Sequence, residues 1–196
     1  MMQREWESVE GIRFCPLTPE HWSEFEKLFG EHGADGGCWC MWWRLPEEQF
    51  EEQTGELNKA AMKELVGSGR APGFLAYIGG EPIGWCSVGP RECYQALHRY
   101  WQLNRDEDKN IWSIVCFYVE EKFRRKGLMK ILVEKAMQYA LSQGAKVIEG
   151  YPIEPDKKLT GFAGFTGIVS VYKSLGFTEI DRNSRNEILM RFACED

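Results

Sequence analysis

Nine successive residues, Ile111-Trp112-Ser113-Ile114-Val115-Cys116-Phe117-Tyr118-Val119, carry almost no polar side chain. A half-buried strand alternates apolar and polar residues, so an unbroken apolar run predicts a strand covered on both faces, in the middle of a sheet. The chain then changes character abruptly. Lys122, Arg124, Arg125, Lys126 and Lys130 fall within nine residues that contain no acid. Beyond Gly127, Leu128, Leu132, Ala136 and Ala140 recur at helical spacing, with Ile131 and Tyr139 beside them, until Gly144 stops the pattern. Strand, basic glycine turn and helix put positive charge where the first backbone N–H groups of a helix are unpaired and its dipole is already positive. The turn therefore reads either as a solvated helix start or as a seat for a phosphate group.

The remaining segments alternate around this unit. Gly11 to Leu17 predicts a first strand, and Thr18 caps a helix in which Trp22, Phe25, Leu28 and Phe29 recur until Gly30. A second helix is expected from about Pro46 to Val66, ending at Gly67-Ser68-Gly69. Gly73 to Ile78 and Pro82 to Val88 flank Gly79-Gly80, a pair suited to a tight hairpin turn. Lys146 to Tyr151 predicts a strand, Ile168 to Leu175 a short helix, and Phe177 to Ile180 with Glu187 to Phe192 a terminal pair. The expected class is mixed α/β. With 196 residues, 43% hydrophobic and 28% charged, and no internal repeat or linker, the whole of 1–196 reads as a single domain.

Net charge is −6, but residues 1–60 carry 13 acids against 5 bases while residues 61–196 carry 17 against 19. This disfavours a broad nucleic-acid surface. No apolar run approaches the length of a membrane span, and Met1 to Trp6 lacks the apolar core of a leader, so a cytoplasmic protein is expected. Seven cysteines without framework spacing fit a reducing compartment.

Arg124-Arg125-Lys126-Gly127-Leu128-Met129 resembles the Arg/Gln-x-x-Gly-x-Gly/Ala pyrophosphate loop of the GNAT superfamily of N-acetyltransferases, and Tyr172-Lys173-Ser174-Leu175-Gly176-Phe177 resembles its Tyr-x-x-x-Gly-Phe segment. The resemblance implies a mostly antiparallel central sheet flanked by helices, with acetyl-CoA as co-substrate. It implies that the pyrophosphate sits on Arg124, Arg125, Lys126, Gly127, Leu128 and Met129, and that the pantetheine arm pairs with the backbone of Phe117, Tyr118 and Val119. It further implies that Tyr172 protonates the leaving thiolate and that backbone N–H groups near the end of the strand stabilise the oxyanion. Met129 stands where the family has a small residue, and Ser113 where several members carry a catalytic glutamate. Glu149, in Glu149-Gly150-Tyr151-Pro152, is the substitute candidate for a general base. A catalytically silent acyl-CoA sensor and a protein or peptide N-acetyltransferase are the alternatives to an enzyme acting on a small primary amine.

Cys38-Trp39-Cys40-Met41-Trp42-Trp43 is the most unusual stretch. On the family's plan it borders the acceptor, so Trp39, Trp42 and Trp43 either line an apolar pocket that attracts amines or pack the first helices onto the sheet; both can hold for different rings. The acidic N-terminal third suits a cationic acceptor. Cys38 and Cys40 with His32 supply too few ligands for a zinc site, so no metal is expected and a reversible disulfide is the remaining special reading. Cys116, inside the apolar strand, reads as a small hydrophobe rather than an acyl-carrying nucleophile. Gly161-Phe162-Ala163-Gly164-Phe165-Thr166-Gly167 reads as a loop over the cleft or a plain surface loop. Assembly as a homodimer is compatible with such a fold.

Overall fold

The computed structural model describes residues 11–103, 111–155, 164–183 and 187–193. Seven strands form one sheet: β1 (Ile12–Pro16), β2 (Gly73–Ile78), β3 (Glu81–Pro90), β4 (Ile111–Val119), β5 (Val147–Gly150), β6 (Thr178–Arg182) and β7 (Ile188–Ala193). Their order is β1-β2-β3-β4-β5-β7-β6, so the apolar strand β4 is central. Only β4 and β5 run parallel; every other neighbouring pair is antiparallel. The β2–β3 turn falls on Gly79 and Gly80, whose φ values of 58° and 84° are the left-handed pair that a two-residue hairpin needs.

Helices cover both faces. α4 (Leu128–Ser142) and α5 (Val169–Ser174) pack on one, where Leu128, Leu132, Val133, Ala136, Ala140, Val169 and Tyr172 share a core with Ile114 and Phe117. The expected stripe of α4 is the one buried. α1 (Trp22–Phe29) and α3 (Glu56–Gly67) pack on the other face, with Phe25, Met62 and Trp85 in their core. A third cluster beside it gathers Trp43, Tyr94, Trp101, Val115 and Tyr151.

One expectation needs correction, and one irregularity was not anticipated. The helix expected from Pro46 to Val66 is two helices, α2 (Glu47–Glu52) and α3, because Gly55 takes a left-handed φ of 84° and the Thr54 hydroxyl donates to the Phe50 carbonyl at 3.2 Å, closing the first helix. Secondly, β4 does not alternate regularly. Ser87 pairs with Cys116 but Val88 pairs with Ile114, so Val115 is an extra residue, a β-bulge. Val115 and Cys116 consequently both face away from α4, while Ile114 and Phe117 both face it.

Candidate functional site

The parallel pair diverges. β5 ends at Gly150, opposite Ile114, whereas β4 continues to Val119, so beyond the bulge β4 is paired with β3 on one edge and faces the gap between the strands on the other. Into this gap points the Phe117 N–H, which donates to the Phe165 carbonyl at 2.6 Å.

Tyr172 closes the gap from the side of α5. It is fully buried, and its ring lies so close to Gly150 and Gly167 that an added Cβ would come within 2.0 Å and 2.6 Å of it, respectively. Only glycine fits at either position. Burial pushes the phenol well above the ordinary tyrosine range. Its hydroxyl donates to the Thr166 carbonyl at 3.5 Å, a long and weak contact. Successive carbonyls, those of Phe165 and Thr166, thus cap the amide of Phe117 and the phenol of Tyr172. The loop expected over the cleft falls here; Gly164 to Gly167 belong to it, while residues 161–163 lie outside the described residues.

The basic turn forms the far end of the same strand. A single 3-10 turn (Glu121–Phe123) leads into it, and Arg124 Nε donates to the Val119 carbonyl at 2.7 Å, tying the turn back to β4. Arg125 and Gly127 take left-handed φ values of 60° and 82° immediately before α4. Arg125, Lys126 and Gly127 are exposed, Leu128 is buried in the core and Met129 is half-buried. Two of the bases already have acids: Lys122 pairs with Glu120 at 3.2 Å and Lys130 with Glu134 at 4.0 Å. A Cβ added at Gly127 would meet nothing within 4 Å, so the space over the helix start is open, and the residues present fit a pyrophosphate. Reversing Arg125 and Lys126 together to glutamate is expected to raise the Kd for acetyl-CoA by about 10- to 100-fold, the loss of one charge-assisted hydrogen bond or more. Titration calorimetry checks it, and an unchanged Kd would put the phosphates elsewhere.

On the face away from α4 lies a cavity of about 280 Å³. Cys116 and Tyr118 of β4 form its floor, joined by Phe117, whose ring packs on the α4 side, and Trp42, Trp43, Phe50, Phe29, Cys38, Cys40, Phe165 and Asp35 also line it. Among the described residues, Asp35 is the one charged group of that lining. Trp42 stands edge-on to Phe50 with ring centroids 4.9 Å apart, and Trp43 stacks on Tyr151 at 6.4 Å. Trp39 takes the packing alternative of the two readings, not the lining one. It does not belong to the lining but is buried in the α1 core, stacked on Phe29 at 5.8 Å, with its indole filling the space over Gly33. The lining contributions of Phe29 and Phe50 carried no sequence signal, because they come from separate segments, whereas Phe165 lies in the stretch read as a loop over the cleft or a plain surface loop.

Glu149 is not placed as a base. It is fully buried, outside the cavity lining, and accepts from Arg91 Nη1 at 3.1 Å through each oxygen, from Arg191 at 2.7 Å and 3.2 Å, and from the Tyr151 hydroxyl at 3.0 Å. Those donors occupy the lone pairs that a base would need. Ser113 joins the same network through a 2.9 Å hydrogen bond to Tyr151. Among the described residues no cluster of three or more His, Cys, Asp or Glu side chains could hold a metal, and no helix is long and apolar enough to cross a membrane.

A diverging parallel pair, a basic turn before a helix and a buried tyrosine behind the gap define an acyl-CoA-dependent transferase fold. A sequence profile of the acetyltransferase (GNAT) family matches residues 39–177, and the chain belongs to that family. It is accordingly an N-acetyltransferase with acetyl-CoA as co-substrate. No curated protein sequence matches the chain. Its fold is similar to that of PaiA N-acetyltransferase from Thermoplasma acidophilum, solved in complex with coenzyme A, at a TM-score of 0.55 and 15% identity over 93% of this chain and 99% of that one. It is also similar to the ribosomal-protein-S5-alanine acetyltransferase of Vibrio fischeri, at a TM-score of 0.59 and 13% identity over 98% of each chain. An N-acetyltransferase from Staphylococcus aureus Mu50 gives a TM-score of 0.57 at 9% identity, covering 93% and 98%.

Proposed function

We propose that residues 1–196 act as one cytoplasmic acetyltransferase domain that acetylates the primary amine of a small molecule bound between Trp42 and Trp43, with Tyr172 as general acid. The observation that carries this reading is the cavity. At about 280 Å³ it stands at the small end of ligand pockets, apolar in lining except for Asp35, and its floor is the segment of β4 that borders the gap. An ammonium group is attracted both by the Asp35 carboxylate and by indole faces.

Acetyl-CoA supplies the activated acetyl group. The chain's own contributions are five. The basic turn and the start of α4 hold the phosphates, and the edge of β4 orients the arm. The Phe117 N–H, freed from Phe165, donates to the oxygen on which negative charge develops. The Tyr172 hydroxyl, held protonated by burial, delivers its proton to the departing sulfur. The apolar cavity holds the amine, which gives one ammonium proton to solvent before it attacks, against the carbonyl and supplies the proximity contribution, and the proton released as the amide forms restores the Tyr172 phenol.

The test is a panel of small amines and peptide N-termini, followed through release of free thiol. Small aromatic and alkyl amines are expected to turn over, and Trp42→Ala to raise their KM by about 10-fold or more, the loss of one buried aromatic contact. Turnover confined to peptides, with no effect of Trp42→Ala, would overturn the reading in favour of a protein acceptor.

A further inference from the structure

Two cysteines separated by 76 positions meet in the wall of the cavity. The Cys40 thiol donates to the Cys116 sulfur with the two Sγ atoms 3.2 Å apart, and Trp85 Nε1 donates to Cys40 Sγ at 2.7 Å. Both residues line the cavity. Cys116 is the more accessible of the two, half-buried on the cavity floor, where the bulge at Val115 turns it away from the α4 core. Cys38, although closer in sequence, is engaged elsewhere: its thiol donates to the Gly33 carbonyl at 3.6 Å. A bonded pair of sulfurs is about 2.05 Å apart, so the two thiols need approach by only about 1.2 Å. The approach can come from the loop that carries Cys40, in which Trp39 and Cys40 take successive left-handed φ values of 42° and 58°.

We infer that Cys40 and Cys116 form a dithiol site that exchanges with low-molecular-weight disulfides entering the cavity. Cys116 attacks one sulfur of the reagent; the reagent's S–S bond breaks, a mixed disulfide forms on Cys116, and the first reagent thiol leaves with the Cys116 proton. Cys40 then attacks Cys116 Sγ; the mixed disulfide breaks, the Cys40–Cys116 bond forms, and the second reagent thiol leaves with the Cys40 proton. The two protein thiols are oxidised by two electrons and the reagent disulfide is reduced to two thiols. The Trp85 N–H favours the second step because it donates to the sulfur that must become the nucleophile. Burial acts against it by pushing the Cys40 thiol up, which makes the exchange slow rather than absent. The bridge would tie the loop bearing Trp42 and Trp43 to β4 and remove two thiols from the cavity wall. This site goes beyond the acetyl-transfer reading and does not depend on which acceptor the enzyme takes.

The test incubates the native full-length protein with oxidised glutathione, blocks remaining thiols, and maps disulfides by mass spectrometry without reduction. The expected result is loss of two hydrogens from the intact mass and a Cys40–Cys116 cross-link that dithiothreitol removes. The cross-link is expected to persist in Cys38→Ser and to vanish in Cys40→Ser and in Cys116→Ser, the latter two retaining at most a mixed disulfide. Wild-type protein that gains only glutathione adducts, or a cross-link of Cys38 with either partner, would overturn the assignment without reference to any variant.

Discussion

Tyr172→Phe is expected to lower kcat for acetyl transfer by about 10²- to 10⁴-fold, the range a positioned general acid contributes, while the Kd for acetyl-CoA stays almost unchanged. The same variant should fold normally. The hydroxyl has a weak 3.5 Å contact with the Thr166 carbonyl, whereas the ring, which the substitution keeps, supplies the packing against Gly150, Gly167 and Phe177. A thermal melt close to wild type together with a collapsed kcat therefore separates chemistry from structure. Burial raises the phenol's pKa, so the acid form persists as pH rises through the ordinary tyrosine value near 10. The wild-type kcat should accordingly show no loss attributable to this group below about pH 10. An undiminished rate in Tyr172→Phe would remove the phenol from the mechanism.

Glu149→Ala is expected to cost about 3–5 kcal/mol of folding stability, because it removes the carboxylate that accepts two hydrogen bonds from a guanidinium buried away from water. Arg91 is 1% exposed and Arg191 28%, so the penalty falls mainly on Arg91, which loses both of its contacts to the carboxylate. Arg91→Leu in the Glu149→Ala background should recover part of the loss, since an apolar side chain carries no charge to keep buried. Urea denaturation of the two variants measures this directly. A cost below about 1 kcal/mol would mean that water reaches the network and that the buried pair is not a structural element.

Most of the architecture was legible because local rules sufficed. The β4 run, the glycine turn of the hairpin and the stripe of α4 each follow from periodicity within a few residues, and the family's two motifs located the gap and the tyrosine behind it. What the sequence withheld were long-range facts. The bulge at Val115 depends on register against β3, and it decides that Cys116 faces the cavity and Phe117 the α4 core; strict alternation from Ile114 would have assigned them the other way round. Glu149 looked like a carboxylate at the end of a strand, and nothing near it in sequence announced that Arg91 and Arg191 converge on it from 58 and 42 positions away. The three tryptophans divided between core and cavity because Trp39, with its left-handed backbone, turns back onto Phe29 while Trp42 and Trp43 continue toward the floor of β4.

The hydrogen bond from Phe117 to Phe165 has a consequence for where binding free energy comes from. A ligand arriving at the edge of β4 does not find a vacant donor; it displaces a carbonyl already there at 2.6 Å. One good hydrogen bond is exchanged for another, and such exchanges are close to neutral. If, as proposed, the pantetheine arm lies along this edge, the strand sets its direction at little net gain and the affinity comes from charge in the basic turn that follows Val119. Orientation would then fall to the last three residues of β4 and affinity to the turn that follows them, two neighbouring segments with separate tasks.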